Sequence, residues 1–275
     1  MENQSAWDQA APLDELAAGL VGPDFDFDAL EALQRELTGT LHSDLIPRLE
    51  AHLEAAVAAG SWYARFVLAD ILVETAGRSS LPVLLRAWSR DLGDDQDSLT
   101  AMLSVLAQED PAAARRTLVP WAQDPDPDLR RAAIWLLGYV PDPADLTMLA
   151  HAAQDPDERV RSVVVGTLGS HGANPAAVDL MVSLLADPSE QVRVSALDSL
   201  GFRQQPRTLP AICRLAEDNS SRVRTWVAIA LRRFPATECD VDPAAAVLDK
   251  LERDRDAHVR EQATTARLRA AQRSR

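Results

Sequence analysis

Lysine is nearly missing from this chain of 275 residues: Lys250 is the only one among 28 basic side chains. Cysteine is equally scarce. Cys213 and Cys239 stand far apart, which excludes a disulfide framework and a CxxC metal or redox site. No apolar run approaches the length of a membrane span. The opening MENQSAWDQAAPLDELAAGL lacks the basic start and apolar core of a signal peptide. These absences lead to the expectation of a cytoplasmic protein with no membrane role. Positive charge is also in deficit, with a formal net charge of −14. Attraction to a phosphate backbone needs the opposite sign, so nucleic acid is a disfavoured partner.

The motifs that carry common chemistries are missing too. GxSxG, P-loop and GxGxxG patterns do not occur. His42, His52, His151, His171 and His258 are scattered, and none precedes a Glu or belongs to an HExxH, so no metal site is expected. DFDFD at 24–28 alternates carboxylates as a calcium loop does. It has Ala29 where such a loop needs Gly and Arg35 where it needs Glu, so Asp26 or Asp28 is expected to cap a helix instead. Cys213 falls in an apolar helical stretch and is expected to pack there. Trp62, Trp88 and Trp121 are likewise expected to pack within their helices. No catalytic residue and no cofactor is expected.

What remains is rich in small apolar residues: 47% of the chain is apolar and 25% charged, as in folded soluble proteins. The charge is uneven. Residues 1–60 carry 12 acidic and 2 basic side chains, whereas 250–275 carry 8 basic and 4 acidic ones. An acidic third of this kind favours encounter with a basic protein partner.

A short pattern recurs. DPDPDLRRAAIWLLG at 124–138, DPDERVRSVVVGTLG at 155–169 and DPSEQVRVSALDSLG at 187–201 place the same residue types in the same order. With the hydrophobe before the recurrent Arg as position 0, copies start at Leu129, Val160, Val192, Val223 and Val259, spaced 31, 32, 31 and 36 residues apart. Position +1 is Arg130, Arg161, Arg193, Arg224 and Arg260. Position +4 is small or β-branched throughout. Position +8 is Leu137, Leu168, Leu200 and Leu231, then Arg267, which reads as a polar end cap. Positions 0, +4 and +8 share one helical face. Asp-Pro signals a helix start, and Gly138, Gly169 and Gly201 at +9 suggest left-handed C-terminal caps. A further helix precedes each copy, as in PAAVDLMVSLLA at 175–186, and weaker pairs extend back to about residue 42.

A period of about 31 residues holding two helices means an α-solenoid. The pattern DPxxxVRxxAxxxLG resembles bacterial HEAT repeats of the short type found in phycobilin lyases, strongly over 124–234 and more weakly over 42–123 and 242–272. The resemblance implies an all-α, right-handed α-α superhelix of about seven helical pairs. It also implies that second helices line the concave surface and that the Asp and Arg columns bridge successive repeats. The expected organisation is a poorly ordered segment at 1–25, a capping helix at 26–41 and the solenoid at 42–275.

Fold does not fix function. Helical geometry assigns positions +2 and +6 to the concave face: Arg131 and Trp135, Ser162 and Gly166, Val194 and Asp198, Thr225 and Ile229. An exposed Trp beside Arg suits a protein interface, and the alternative for Trp135 is packing between repeats. The leading expectation is a non-catalytic scaffold whose partner is a protein, plausibly basic, as for an immunity or docking subunit. Two other readings follow from the resemblance. A HEAT-like DNA glycosylase would use Trp135 and Asp198 on alkylated bases, and a phycobilin lyase-like chaperone would handle a bilin.

Overall fold

The computed structural model describes residues 2–22, 26–92, 97–172, 174–234 and 243–273, and all regular structure among them is helical. Cys239 and part of the DFDFD stretch lie outside the described residues. The chain divides into two compact units, one ending at Val140 and the other beginning at Pro141.

The first unit opens on α1 (Glu2–Val21) and α2 (Phe27–Leu37). The expectation of a poorly ordered segment at 1–25 is corrected here. Leu13, Leu16 and Leu20 fall on one face of α1 and are buried, and α1 packs on α2 and on the two helices that follow. Pro12 interrupts the pattern in sequence yet sits within the helix. The Asp14 carboxylate fixes the helix by accepting from His52 Nε2 at 2.8 Å and from Arg48. Asp26 caps α2, its side chain accepting from the Ala29 N–H at 3.2 Å. Three pairs follow: α3 (Ile46–Ala58) with α4 (Trp62–Ala76), α5 (Leu81–Ser89) with α6 (Asp97–Glu109), and α7 (Pro111–Trp121) with α8 (Pro127–Leu137).

The second unit holds four pairs: α9 (Asp145–Ala152) with α10 (Glu158–Ser170), α11 (Pro175–Ser183) with α12 (Glu190–Arg203), α13 (Leu209–Arg214) with α14 (Ser221–Leu231), and α15 (Pro243–Leu251) with α16 (Ala257–Arg273). All seven expected pairs are therefore present. The second helices α10, α12, α14 and α16 pack side by side. Their 0 and +4 residues are completely buried, as are Leu168 and Leu200 at +8. Each such Leu stabilises the unit by about 1.5–3 kcal/mol through apolar burial.

Two local devices differ from expectation. The Asp that opens each repeat motif, as distinct from Asp110 and Asp126, does not cap the helix. Its carboxylate accepts the N–H two residues on, as Asp155 does from Asp157 at 2.9 Å and Asp187 from Ser189 at 2.8 Å. The cap is that later residue: Asp126 accepts from Asp128 N, Asp157 from Arg159 N and Ser220 from Val223 N. Nor are the +9 glycines left-handed caps. Gly138 is right-handed, Gly169 and Gly201 lie inside their helices, and none has positive φ. At Gly201 the reason is close approach: a Cβ there would stand 2.9 Å from Ala230 Cα on α14.

Candidate interaction surface

The recurrent arginines are consumed by structure. Arg161, Arg193 and Arg224 each donate Nη1 to two carbonyls of their own turn, Asp-Pro in the first two and Asp218-Asn219 in the third, the shorter bond being 2.8 Å in every case. Each then turns the rest of its guanidinium onto the Asp that opens the next repeat. Arg161 grips Asp187 at 2.8 and 2.9 Å, Arg193 reaches Asp218 at 3.0 Å, and Arg224 grips Asp254 at 2.7 and 2.9 Å. A planar fork against a carboxylate gives two parallel charge-assisted bonds. The pair Arg224–Asp254 is only 6% and 10% exposed in its side chains, so water screens it little. The Arg224 guanidinium and the backbone N–H of Asp256 hold the Asp254 carboxyl below the ordinary range. At Asp187, burial pushes the other way, but Arg161 and the Ser189 N–H outweigh it and the pKa is lowered. Arg130 makes the same bonds to its turn, to the carbonyls of Asp124 and Pro125 at 2.8 and 3.0 Å.

With these columns occupied, the accessible stripe can be read from burial. Val194 and Thr225 are 4% and 6% exposed, which corrects their assignment to an open face. Position +2 lies about 200° round the helix from position 0. Because each inner second helix has a second helix on either side, residues at that angle are covered by a neighbour. Ser162, also at +2, is half-buried and shares a 2.9 Å hydrogen bond with Ser195 of the next repeat. The stripe left open in the second unit runs through +3, +6 and +10, centred about 270° from position 0. At +6 it holds Gly166, Asp198 and Ile229, which are exposed or half-exposed. At +10 it holds Ser170, Phe202 and Arg233. Phe202 is 65% exposed. The guanidinium carbon of Arg233 lies 3.7 Å over its ring, and Arg233 also pairs with Asp198 at 2.7 Å.

In the first unit, Trp135 packs between repeats. Its ring stacks on that of Trp88 from α5, with centroids 4.2 Å apart and planes 14° from parallel, and meets Tyr139 edge-on at 5.2 Å. Arg131 lies 5.1 Å over the Trp88 ring and donates to the Ser89 carbonyl at 3.2 Å. Trp135 is half-buried, and Tyr139 is the more open ring. Trp88 is buried and donates to Thr100 at 3.0 Å, whereas Trp62 is 52% exposed, against expectation, because it sits at the first position of α4. Cys213 is half-buried. Among the described residues no group of three His, Cys, Asp or Glu side chains is placed to hold a metal, and no helix is long and apolar enough to cross a membrane.

The sequence reading missed Phe202, Tyr139 and Arg233. All three stand two residues beyond the Leu column, so the pattern could have located them once the open angle was known. It also missed Arg65, which stands at +1 counted from the buried Ala64. Arg65 is 1% exposed and donates to the carbonyls of Ala87 and Arg90 at 3.3 and 2.9 Å. No Asp-Pro precedes it to mark the repeat.

Stacked helical pairs tied by a repeated arginine–aspartate contact define an α-solenoid repeat protein. The sequence pattern of HEAT repeats matches residues 115–191 and 178–266. That is more than half of the chain, which belongs to the HEAT-repeat family. Protein YibA of Escherichia coli (strain K12) is 26% identical over 100 residues, a segment covering 36% of this chain and 36% of YibA. The sequence match thus spans about a third of that relative. The X-ray structure of E. coli YibA superimposes with a TM-score of 0.52 at 20% identity, covering 94% of this chain and 92% of that one. Importin beta superimposes with a TM-score of 0.54 at 16% identity, over 94% of this chain and 41% of importin beta. A Kap121p mutant gives 0.54 at 18% identity, over 95% of this chain and 34% of Kap121p. These likenesses concern the fold.

Proposed function

We propose that this HEAT-repeat protein is a non-catalytic scaffold that binds a partner protein along the open stripe of its second helices. The observation that carries this reading is a division of labour in the second unit. Residues at the recurring columns are buried in contacts between repeats, while +3, +6 and +10 vary freely and stay accessible: Ser195, Asp198 and Phe202 on α12, then Trp226, Ile229 and Arg233 on α14. An exposed aromatic ring propped by an arginine has the chemistry of an interface hot spot. In the first unit, Trp135 and Tyr139 with Arg131 offer a second patch. The acidic residues 1–60 favour a basic partner there through faster encounter. The glycosylase reading gains no support, since Asp198 is engaged by Arg233 and Trp135 by Trp88.

Affinity capture from the source organism, followed by direct binding with the purified partner, tests the proposal. Phe202→Ala and Asp198→Arg should weaken the complex about tenfold or more, with circular dichroism unchanged. Trp135→Ala and Arg131→Glu test the first patch in the same way. Unaltered affinity in all four variants would discard the stripe as the binding surface. Release of alkylated base from duplex DNA by the folded protein would replace the scaffold with an enzyme.

A further inference from the structure

Arg203 departs from the behaviour of the other repeat arginines. Arg161, Arg193 and Arg224 each find a carboxylate on the next repeat. Arg203, at the end of α12, is half-buried, and its Nη2 donates to the Gly169 carbonyl of the preceding repeat. Its Nε is buried with no hydrogen-bond partner among the described residues. Burial lowers its pKa, with no carboxylate acting in the opposite direction. A guanidinium withdrawn from water without a counter-charge destabilises the fold, and local costs of this kind are characteristic of functional sites.

The surroundings indicate what would relieve it. Phe202 is the neighbouring residue and projects an exposed ring. Arg233 holds that ring from one side and is itself neutralised by Asp198, so Arg203 remains the uncompensated charge. His171 stands at the same register one repeat earlier, and its Nε2 is also buried without a partner.

We propose that the C-terminal ends of α10, α12 and α14 form a docking site for an acidic peptide segment of a partner protein, with one carboxylate pairing with Arg203 and an adjacent apolar side chain covering Phe202. A short acidic segment fits better than a nucleic acid. The chain carries a net charge of −14, which repels a continuous polyanion. The inference rests on the open stripe proposed above, of which Phe202 and Arg233 are part, and not on a basic partner of the acidic residues 1–60.

Fluorescence anisotropy with a labelled peptide of alternating Glu and Leu tests the site, beside peptides of alternating Lys and Leu or Glu and Ser and a single-stranded DNA of similar length. Because the whole protein repels anions, binding of the Glu–Leu peptide requires a local site. The wild type should prefer that peptide to all three alternatives. Arg203→Met should weaken it about tenfold or more while leaving thermal stability unchanged or raised. Phe202→Ser, at a position too exposed to threaten folding, should weaken the Glu–Leu peptide and leave Glu–Ser unaffected. No binding by the wild type, equal binding by either variant, or preference for DNA would overturn the proposal.

Discussion

The two units solve one problem, tying each helical pair to the next, by different means. In the second unit a single device is repeated: a guanidinium fork reads its own turn and clasps the first Asp of the following repeat, at Arg161, Arg193 and Arg224. In the first unit each junction is individual. Arg65 on α4 reaches carbonyls at the end of α5, and α5 meets α8 through stacked tryptophans, while Thr100 at the +1 position of α6 bonds only within its own pair, accepting from Trp88. Burial of apolar surface is common to both, and Leu49, Leu68, Leu84 and Leu103 are as fully enclosed as Leu168 and Leu200. Packing therefore makes the repeat, and the polar ladder makes it regular. Where the ladder lapses, the family pattern fades from the sequence while the fold persists.

Leu168→Ala should cost the second unit about 2–5 kcal/mol in chemical denaturation, because the side chain is fully buried. Its effect should spread to neighbouring pairs in hydrogen exchange, as nearest-neighbour coupling requires. Gly201→Ala should cost about 1–3 kcal/mol, since the new methyl meets the backbone of α14. Acid should act on the ladder selectively. The folded pKa values of Asp187 and Asp254 are depressed, so their contribution is fully present above the unfolded value of about 3.9 and is lost as pH falls from there through the folded values. Hydrogen exchange at acidic pH should show junctions 161–187 and 224–254 loosening before α5 and α8 separate. Gly166→Ala should raise stability by up to about 1 kcal/mol, because the position is helical and a Cβ there meets nothing within 4 Å.

Much of the architecture was legible because a solenoid writes its periodicity into the chain. Val160, Val164 and Leu168 announce a buried face by spacing alone, and Asp-Pro turns mark where α8, α10 and α12 begin. The remainder needed the neighbours. Val194 and Thr225 look like surface positions on an isolated helix and become interior only when a second helix flanks each side. Gly201 reads equally well as a turn or as a close approach, and only Ala230 decides between them. Helix α1 escaped notice because Pro12 splits its apolar pattern, and Phe202 because nothing recurs at +10. The accessible stripe was thus half legible: spacing pointed to Asp198 and Ile229, which stay partly accessible, and missed the most open ring and the uncompensated arginine beside it.

Arginines of the recurring column build the repeat, whereas Arg203, off that column, holds a charge with no carboxylate acting on it. Equilibrium unfolding of Arg224→Met beside Arg203→Met separates the two roles. A loss of about 2–4 kcal/mol is expected for the first, which strands Asp254 in a site 10% exposed, and none for the second. Equal losses in the two variants would make both arginines structural and end the distinction.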